Sequence, residues 1–207
     1  MTKRLFDFIG SLLGLIVLSP LSLLLALLIK LDSPGPVFYR GVRIGRFGKP
    51  FRIFKFRTMV MNADKIGGPA TPDGDQRVTR MGAFLRNYKL DELPQLLNVL
   101  KGEMSLVGPR PEHDFYFQYY SKEEKDAVLS VRPGMTDYGS LHFHDEGKLI
   151  VGADPSAVYI QNIKPEKVRL QLKYIRNQSL MRDVQIIFGT IAIILRTRLH
   201  RKESHGV

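Results

Sequence analysis

Near the N-terminus, an uncharged and mostly apolar segment lies between Asp7 and Lys30. As a helix, its residues 8–29 would extend about 33 Å, which roughly matches a bilayer hydrocarbon core of about 30 Å. The run is longer than the apolar part of a signal peptide, and no cleavage site of small residues follows it. The pattern therefore predicts a membrane helix.

Ser19 and Pro20 lie near the middle of this apolar segment. Because proline lacks an N–H and its ring clashes with the carbonyl of Ile16, a sharp kink is expected there, and Ser19 and Ser22 could satisfy the freed backbone groups. Basic residues mark the cytoplasmic side of a membrane segment, and here they flank both ends. They are Lys3 and Arg4 before it and Lys30, Arg40, Arg43 and Arg46 after it. The residues alone leave two topologies open, a simple span and a re-entrant hairpin.

Short alternations of apolar and basic residues after the membrane segment predict β-strands. Two such stretches, Val37–Arg40 and Phe51–Arg57, are expected to form strands or a hairpin around a turn at Gly45–Gly48. Because side chains alternate along a strand, continuous pairing would put Phe56 on the face opposite Phe51.

The remaining periodic segments predict helices. Leucines from Leu93 to Leu100 repeat at helical spacing, with Pro94 in the first turn and Gly102 at the stop. Further helices are expected over 81–88, 121–130, 165–176 and 184–195. The last is too short to span a bilayer and ends in basic residues, which favours a core helix or an interfacial helix on anionic headgroups. The combined pattern predicts an α+β fold that is mainly helical with small β-hairpin elements.

The composition adds a marked positive charge. The 207 residues include 31 Lys and Arg against 20 Asp and Glu, which gives a formal net charge of +11. Such a surface favours an anionic partner, which can be nucleic acid, anionic lipid or a phosphorylated substrate. Since the sequence contains no cysteine, a disulfide framework and cysteine-based zinc or thiol chemistry are excluded.

Candidate catalytic residues are densest in two stretches, Leu85–Gln95 and Val107–Glu112. Asp91 and Glu92 are expected at the start of the leucine helix, where the partial positive charge of the helix stabilises carboxylates. Two adjacent carboxylates can share a divalent cation or divide the roles of nucleophile and acid/base. The planar guanidinium groups in the same two stretches suit phosphate oxygens. These groups are Arg86 and Arg110.

Each of these residues also has a purely structural explanation. Acidic residues favour helix starts for stability alone, so Asp91 and Glu92 would serve equally well as caps. Both arginines would be ordinary surface charges, and Lys55 and Arg57 would belong to a solvated strand edge. The spacing of the residues leaves the two explanations open.

Short motifs occur in a set order along the chain between Lys3 and Gly134. They are Lys3–Asp7, Ser19–Pro20, Gly35–Phe38, Lys55–Met59, Leu90–Leu96, Asn98–Gly102, Ser105–Pro111 and Arg132–Gly134. In order and spacing they closely resemble the small bacterial monotopic phosphoglycosyl transferases, the initiating bacterial sugar transferase family of polysaccharide and glycoconjugate assembly. No single motif is decisive, but their ordered sum is highly specific.

The resemblance implies a chemical role for the acidic pair, Asp91 and Glu92. Asp91 would attack the β-phosphate of a UDP-sugar, so that UMP leaves and an acyl-phosphate sugar intermediate stays on the enzyme. A polyprenyl (undecaprenyl) phosphate would then take the sugar phosphate, which is a ping-pong mechanism. Mg²⁺ would bridge the diphosphate and Asp91, and Glu92 would hold the metal or position Asp91. Basic side chains would bind the phosphate oxygens, namely Arg86 and Arg110, with Lys55 and Arg57 as weaker candidates.

The resemblance further implies a re-entrant membrane hairpin kinked at Ser19 and Pro20. The chain would divide into this membrane helix over 1–34 and a cytosolic catalytic domain over 35–207 that ends in an interfacial amphipathic helix. Its partners would be a UDP-sugar, a polyprenyl phosphate and membrane lipids, with no nucleic acid. The expected location is the bacterial inner membrane, with the catalytic domain on the cytoplasmic face.

One segment departs from the family pattern. Many relatives have a Gly-Trp-Ala-Gln type segment shortly after Arg132–Gly134, whereas this sequence contains no Trp, which leaves the identity of the sugar open. His142 and His144 would face the same side of a strand, and with Glu146 they resemble metal ligands. A hydrogen-bonded polar loop near the sugar site is the preferred hypothesis for these residues.

Two other functions are compatible with parts of the sequence. A membrane-tethered nucleic-acid-binding protein would use the net positive charge and the basic, aromatic stretch Phe51–Arg57, but the sequence has no helix-turn-helix pattern or RNP motif. A non-catalytic membrane scaffold would use the acidic pair for stability alone. Release of UMP from a UDP-sugar with Mg²⁺ would separate the enzyme from both.

Overall fold

The computed structural model describes residues 2–68, 71–143, 146–151 and 154–203, with the backbone alone for 148 and 197–203. The described fold is mainly helical with three two-stranded sheets, which confirms the predicted balance of helix and strand. The helices are α1 Thr2–Asp32, α2 Ala63–Ile66, α3 Arg80–Asn87, α4 Leu96–Lys101, α5 Lys122–Leu129, α6 Tyr138–His142, α7 Glu146–Leu149, α8 Pro155–Val158, α9 Lys164–Arg176 and α10 Leu180–Glu203. The strands are β1 Phe38–Tyr39, β2 Val42–Ile44, β3 Pro50–Arg52, β4 Lys55–Phe56, β5 Ser105–Val107 and β6 Gly134–Thr136. Shorter helical segments are the 3₁₀ helices Arg46–Gly48, Leu90–Gln95 and Asp114–Tyr119 and the π-helical turn Tyr159–Ile163.

The predicted hairpin is confirmed, because β2 pairs antiparallel with β3 around the turn at Arg46–Gly48. The prediction of one strand over Phe51–Arg57 is wrong, since β4 pairs with β1 in a separate sheet. The side chain of Asn98 separates the two strands. Its Oδ1 accepts from the Phe54 N–H at 2.8 Å and its Nδ2 donates to the Arg52 carbonyl at 3.0 Å. This break turns Phe56 into the core.

Most of the predicted helices are confirmed. Helix α5 begins with the expected capping box, in which Ser121 Oγ accepts from the Glu124 N–H while Glu124 Oε2 accepts from the Ser121 N–H. The leucine helix begins as the 3₁₀ helix Leu90–Gln95 and continues as α4. It ends at Gly102, which has a φ of 85° and therefore occupies the left-handed region that glycine tolerates. Helix α10 is longer at both ends than the predicted 184–195.

Helix α1 runs unbroken through Pro20. Ser19 Oγ donates a 2.8 Å hydrogen bond to the carbonyl of Ile16, which is the acceptor that Pro20 cannot use, so the compensation predicted for Ser19 is confirmed. Among the described residues, α1 is the one helix that is long and apolar enough to cross a membrane. The re-entrant path stays a prediction. Side chains along most of its length are exposed, including Leu5, Leu13, Ile16, Val17, Leu23, Leu24, Leu27 and Leu31.

The N-terminal end of α1 is bonded to the globular part of the protein, which comprises the described residues from 35 onward. Lys3 Nζ lies 2.6 Å from Oδ2 of the buried Asp183 at the start of α10. Arg4 donates to the carbonyls of Val99 and Leu100 at 2.6 and 2.7 Å, and thereby caps the end of α4. Three separate elements therefore meet at this end of the helix.

The C-terminal end of α1 is bonded to the same globular part. The guanidinium of Arg57 donates to the carbonyls of Ser33 and Pro34, and the first of these bonds measures 2.7 Å. Ile29 packs in a core cluster with Phe56, which belongs to β4. Both ends of the apolar helix are therefore attached to one body of the protein.

Candidate active site

The acidic pair lies in the first turn of the 3₁₀ helix Leu90–Gln95. This helix follows Lys89, whose φ of 54° places it in the left-handed region, so the chain turns sharply just before Asp91. Strand β4 packs against the 3₁₀ helix and brings Lys55 to the pair. The local fold therefore shields most of both carboxylates from water.

Glu92 is held by two cations. Lys55 Nζ lies 2.8 Å from Glu92 Oε1, and Arg110 Nη1 donates to Glu92 Oε2 at 3.0 Å, while Arg110 Nη2 contacts Oε1. Although burial favours the neutral acid, Arg110 and Lys55 hold the pKa of Glu92 well below its ordinary value. Glu92 is therefore an ionised carboxylate whose oxygens are already occupied.

Asp91 has a different environment. Its side chain is 8% exposed, and in the described part of the chain its carboxylate makes no hydrogen bond or ion pair. Burial raises its pKa above the ordinary value, as does the neighbouring charge of Glu92, whereas the field of Lys55, Arg86 and Arg110 opposes the rise. The acidic pair therefore consists of Glu92, which ion pairs hold in place, and Asp91, whose carboxylate is uncommitted because it bonds to none of the described residues.

Arg110 is positioned by a close approach of two chain segments. A Cβ atom on Gly134 would lie 2.1 Å from the Gly108 nitrogen, so only glycine allows this contact. It lets the Gly134 N–H donate to the Pro109 carbonyl at 2.8 Å. The Arg110 N–H in turn donates to Asp137 at 3.3 Å. The loop that carries Arg110 is therefore attached to β6 and to the start of α6.

Arg86 reaches the acidic pair from α3. Gly82 lets that helix lie directly on the backbone of Thr58, where a Cβ atom would be 2.0 Å from the carbonyl oxygen. Arg86 Nε donates to Thr58 Oγ1 at 3.0 Å. Burial lowers the pKa of Arg86, and the charge of Asp91 counteracts this effect. Arg86 thus lies within the electrostatic field of Asp91.

The structure does not bring Arg57 into this cluster. Its side chain is buried, and its guanidinium donates to backbone carbonyls at the C-terminal end of α1, including that of Ser33 at 2.7 Å. A cation at this position stabilises the end of a helix. Phosphate binding by Arg57 stays a prediction, and the observed bonds of its guanidinium attach the C-terminal end of α1 to the chain just after β4.

A cavity of about 250 Å³ opens beside Arg110. Glu112 lines this cavity, and its Oε2 lies 2.9 Å from Nζ of the buried Lys164. The hydroxyl of Tyr159 donates to Glu112 Oε1 at 3.4 Å. Several further polar side chains line the space, including Asp137, Ser140, Glu146, Lys167 and Gln171. The cavity therefore offers many hydrogen-bonding groups next to the acidic pair.

The described residues of the segment that departs from the family pattern lie in helices. His142 ends α6, so the predicted strand is wrong at this residue, and His144 lies outside the described residues. Glu146 begins α7 and pairs with Lys167. Across the described ranges, no group of three or more His, Asp or Glu side chains is arranged to hold a metal ion.

Comparison with known proteins adds the decisive observation. The family model described as "Bacterial sugar transferase" matches residues 1–197 of the chain. This chain belongs to the bacterial sugar transferase family. The family resemblance inferred from the ordered motifs is thereby confirmed.

Three curated relatives align with nearly the whole length of this chain. A UDP-N-acetylgalactosamine-undecaprenyl-phosphate N-acetylgalactosaminephosphotransferase of Aeromonas hydrophila is 40% identical over 93% of this chain and 43% of its own length. A UDP-glucose:undecaprenyl-phosphate glucose-1-phosphate transferase of Caulobacter vibrioides is 40% identical over 94% of this chain and 70% of its own length. A protein of Escherichia coli with the same activity in its name is 38% identical over 91% of this chain and 39% of its own length. The chain thus spans about two-fifths of the Aeromonas and Escherichia proteins.

Sequence reasoning missed the buried ion pair between Glu112, which lines the cavity, and Lys164. Glu112 and Lys164 are separated by 52 positions, and neither has a spacing that would indicate the other. Asp137 begins α6 and accepts from the Ser140 N–H at 2.7 Å, which is a recognisable helix-capping pattern. That pattern alone gives no indication that Asp137 also holds the backbone of Arg110.

Proposed function

We propose that this sugar transferase moves a sugar 1-phosphate from a UDP-sugar to a polyprenyl phosphate, as the first step of polysaccharide or glycoconjugate assembly. The observation that carries the proposal is the unequal acidic pair. Asp91 has an uncommitted carboxylate, and the adjacent Glu92 is fixed by Lys55 and Arg110. A carboxylate that is buried, unpaired and surrounded by cations suits a nucleophile that must approach an anion.

The proposed reaction has two displacements at the same phosphorus atom. In the first, an Asp91 carboxylate oxygen bonds to the β-phosphorus, and the bond to the UMP oxygen breaks so that UMP leaves with the electron pair. In the second, a phosphate oxygen of the polyprenyl phosphate attacks that phosphorus and breaks its bond to Asp91. The carboxylate is thereby regenerated, which gives ping-pong kinetics.

Positive charge around the pair supports diphosphate binding at this place. Lys55, Arg86 and Arg110 all act on Asp91 electrostatically, and they come from β4, α3 and the loop after β5. Such preorganised cations stabilise the charge that develops on transferring and leaving oxygens. Glu92 orients Lys55 and Arg110 in this scheme, so it positions the cations that face the donor.

The residues also fit the Mg²⁺ that the family resemblance implies. Mg²⁺ in phosphoryl transfer is often held by one or two carboxylates, with the remaining ligands from phosphates and water. Asp91 offers an unpaired carboxylate, and Glu92 offers oxygens only if Lys55 or Arg110 moves away. When bound, the ion would neutralise negative charge as the carboxylate approaches the diphosphate.

The cavity beside Arg110 supports binding of the hydroxylated part of the donor. Its walls include the carboxylates of Asp137 and Glu146 and the amide of Gln171, which hydrogen-bond well to hydroxyl groups. Carboxylates repel phosphate, so the diphosphate is expected at the cations and the neutral hydroxylated group in the cavity.

The attachment of α1 supports a location on one face of the membrane. A spanning helix would place its two ends on opposite sides of the bilayer, yet Lys3 and Arg4 at one end and Arg57 at the other bond α1 to the same globular part. We therefore propose a re-entrant path with the globular part on the cytoplasmic face, where UDP-sugars are found. Exposed Phe188, Ile191 and Leu195 on α10 would contact the same lipid surface.

A covalent intermediate is the direct test of this function. Incubation with UDP-sugars and Mg²⁺, without lipid acceptor, should release up to one UMP per protein and add the mass of one sugar phosphate at Asp91. The measurement is intact-protein and peptide mass spectrometry together with UMP quantification, over a panel of UDP-sugars. UMP that appears only when polyprenyl phosphate is present would instead indicate direct transfer in a ternary complex.

Arg110→Ala should reduce transfer activity by at least about 100-fold while the protein stays folded, because a preorganised cation at the phosphate site is lost. Arg110→Lys should restore part of the activity, since an ammonium group cannot reproduce the two parallel bonds of the guanidinium. Arg169→Ala is the matched control, because Arg169 lies exposed on α9 and, among the described residues, pairs with Glu166 alone, within its own helix turn. A collapsed melting temperature with normal residual kinetics would show Arg110 to be structural.

A further inference from the structure

A stripe of polar side chains runs along the buried face of α9. It consists of Lys164, Lys167 and Gln171, which share one face because residues three or four apart are neighbours on a helix. The two lysines are paired with the carboxylates of Glu112 and Glu146. Gln171 is the neutral member of the stripe, and its side chain is 1% exposed and lines the cavity.

The two ends of the Gln171 amide have different surroundings. Its Oε1 accepts a 3.2 Å hydrogen bond from the hydroxyl of Tyr120, whereas its Nε2 bonds to none of the described residues. Tyr120 does not line the cavity, so this bond turns the oxygen into the protein and leaves the N–H groups on the cavity side. Because buried amides are nearly always hydrogen-bonded, a bound ligand is the expected acceptor for Nε2.

The charges that line the cavity favour a neutral ligand. Most of the charged lining residues belong to ion pairs, which are Glu112–Lys164, Glu146–Lys167 and Arg110–Glu92. The carboxylate of Asp137 and the guanidinium of Arg43 remain, and their charges are opposite. A ligand with its own carboxylate or ammonium group would lack a free partner of opposite charge, which makes its burial unfavourable.

The position of the cavity favours the sugar over the uracil of a UDP-sugar. Arg110 lines the cavity and also bonds to Glu92, the neighbour of Asp91. The sugar is bonded directly to the β-phosphate that Asp91 would attack, whereas the ribose and the α-phosphate separate the uracil from it. The group that enters a cavity beginning at Arg110 is therefore the sugar.

We propose that Gln171 is a specificity-determining residue whose Nε2 donates to the acetyl carbonyl of a 2-acetamido sugar, so that the substrate is a UDP-N-acetylhexosamine. This inference rests on the proposed function, which supplies the UDP-sugar. An acetamido group combines a carbonyl acceptor with an apolar methyl group, and the same cavity is lined by Ile150 and by the ring of Tyr159. In a UDP-hexose a hydroxyl replaces this group and leaves that apolar surface without a partner.

The test measures kcat/KM for UMP release in lipid nanodiscs with Mg²⁺ and polyprenyl phosphate. The substrates form two pairs that differ in the acetamido group, UDP-GlcNAc with UDP-glucose and UDP-GalNAc with UDP-galactose. Wild-type protein should prefer the N-acetylated member of the pair that it uses. Gln171→Met should lower kcat/KM for that member about three- to tenfold, the range for loss of a neutral hydrogen bond, and for the matching UDP-hexose by less than about twofold.

Three further variants complete the test. Gln161→Met makes the same change at an exposed glutamine and should leave both substrates unaffected. Tyr120→Phe removes the hydroxyl that orients the Gln171 amide, so it should reduce the same preference to a smaller extent. Gln171→Leu replaces Gln171→Met if the latter does not fold. The ratio of the two kcat/KM values is the decisive readout, because a purely structural change affects both substrates of a pair equally.

The outcomes separate this inference from the proposed function. Wild-type protein that uses a UDP-hexose as well as or better than its N-acetylated partner would overturn the inference and leave the function standing. An equal loss for both substrates in Gln171→Met would indicate a bond to the uracil, a bond to a shared hydroxyl or a structural role, and would also overturn it. Absence of UMP release from wild-type protein with every UDP-sugar would overturn the proposed function, and the role of Gln171 with it.

Discussion

Asp91→Asn should reduce UMP release and sugar phosphate transfer by at least about 10⁴-fold, because the amide keeps the shape of the side chain but is not a nucleophile. The amide is also a poorer ligand for Mg²⁺ than the carboxylate. The measurement is product formation by purified protein in nanodiscs with a UDP-sugar, Mg²⁺ and polyprenyl phosphate. Activity near that of the wild type would remove Asp91 as the nucleophile.

The structure predicts that this loss is not a loss of folding. Burial and the neighbouring charge of Glu92 raise the pKa of Asp91, so the neutral amide should leave the melting temperature unchanged or raise it. Asp126→Asn is the matched control, since Asp126 is an exposed carboxylate on α5 and should keep full activity. Glu92→Gln should also be severely impaired, because Lys55 and Arg110 lose the charge that orients them.

Single cysteines introduced at Thr2 and Ser33 should both be protected from an impermeant thiol reagent in sealed cells and should both react after lysis. The sequence has no cysteine, so labelling has no background within the chain. The physical reason is that both ends of α1 are bonded to one globular part, through Lys3 and Arg4 at the start and Arg57 at the end. Labelling of the Thr2 site alone in intact cells would establish a spanning helix.

The same labelling experiment tests the centre of the helix. Replacement of Ser19 by Ala and Pro20 by Leu restores the backbone N–H that proline lacks, which favours a straight helix and should make the Thr2 site reactive in intact cells. Ser22→Ala is the matched control, because it removes a hydroxyl from the same segment and keeps Pro20. Protection of the Thr2 site in the double variant would show that the anchors at Lys3 and Arg4 determine the topology.

Local features of the fold were predictable from the sequence. The capping box at Ser121, the glycine that ends the leucine helix at Gly102 and the turn between β2 and β3 depend on residues within a few positions of one another. The strand predicted over Phe51–Arg57 is wrong because it depends on a contact between residues that are far apart in the sequence. Its interruption depends on the side chain of Asn98, which lies more than forty positions away in the sequence.

For the candidate site, the sequence by itself determined which groups are present. The ordered motifs led to Asp91, Glu92, Arg86, Arg110 and Lys55 and to the sugar transferase family, because each motif keeps its residue types at short, readable spacings. Only the tertiary structure determined which of these groups bond to each other and which lie apart. It pairs Glu92 with Lys55 and Arg110 across 37 and 18 positions, leaves Asp91 uncommitted and takes Arg57 away to the end of α1. Hydrogen bonds and charges act over a few ångströms in space, so which carboxylate keeps a free oxygen depends on packing between distant segments that no local pattern encodes.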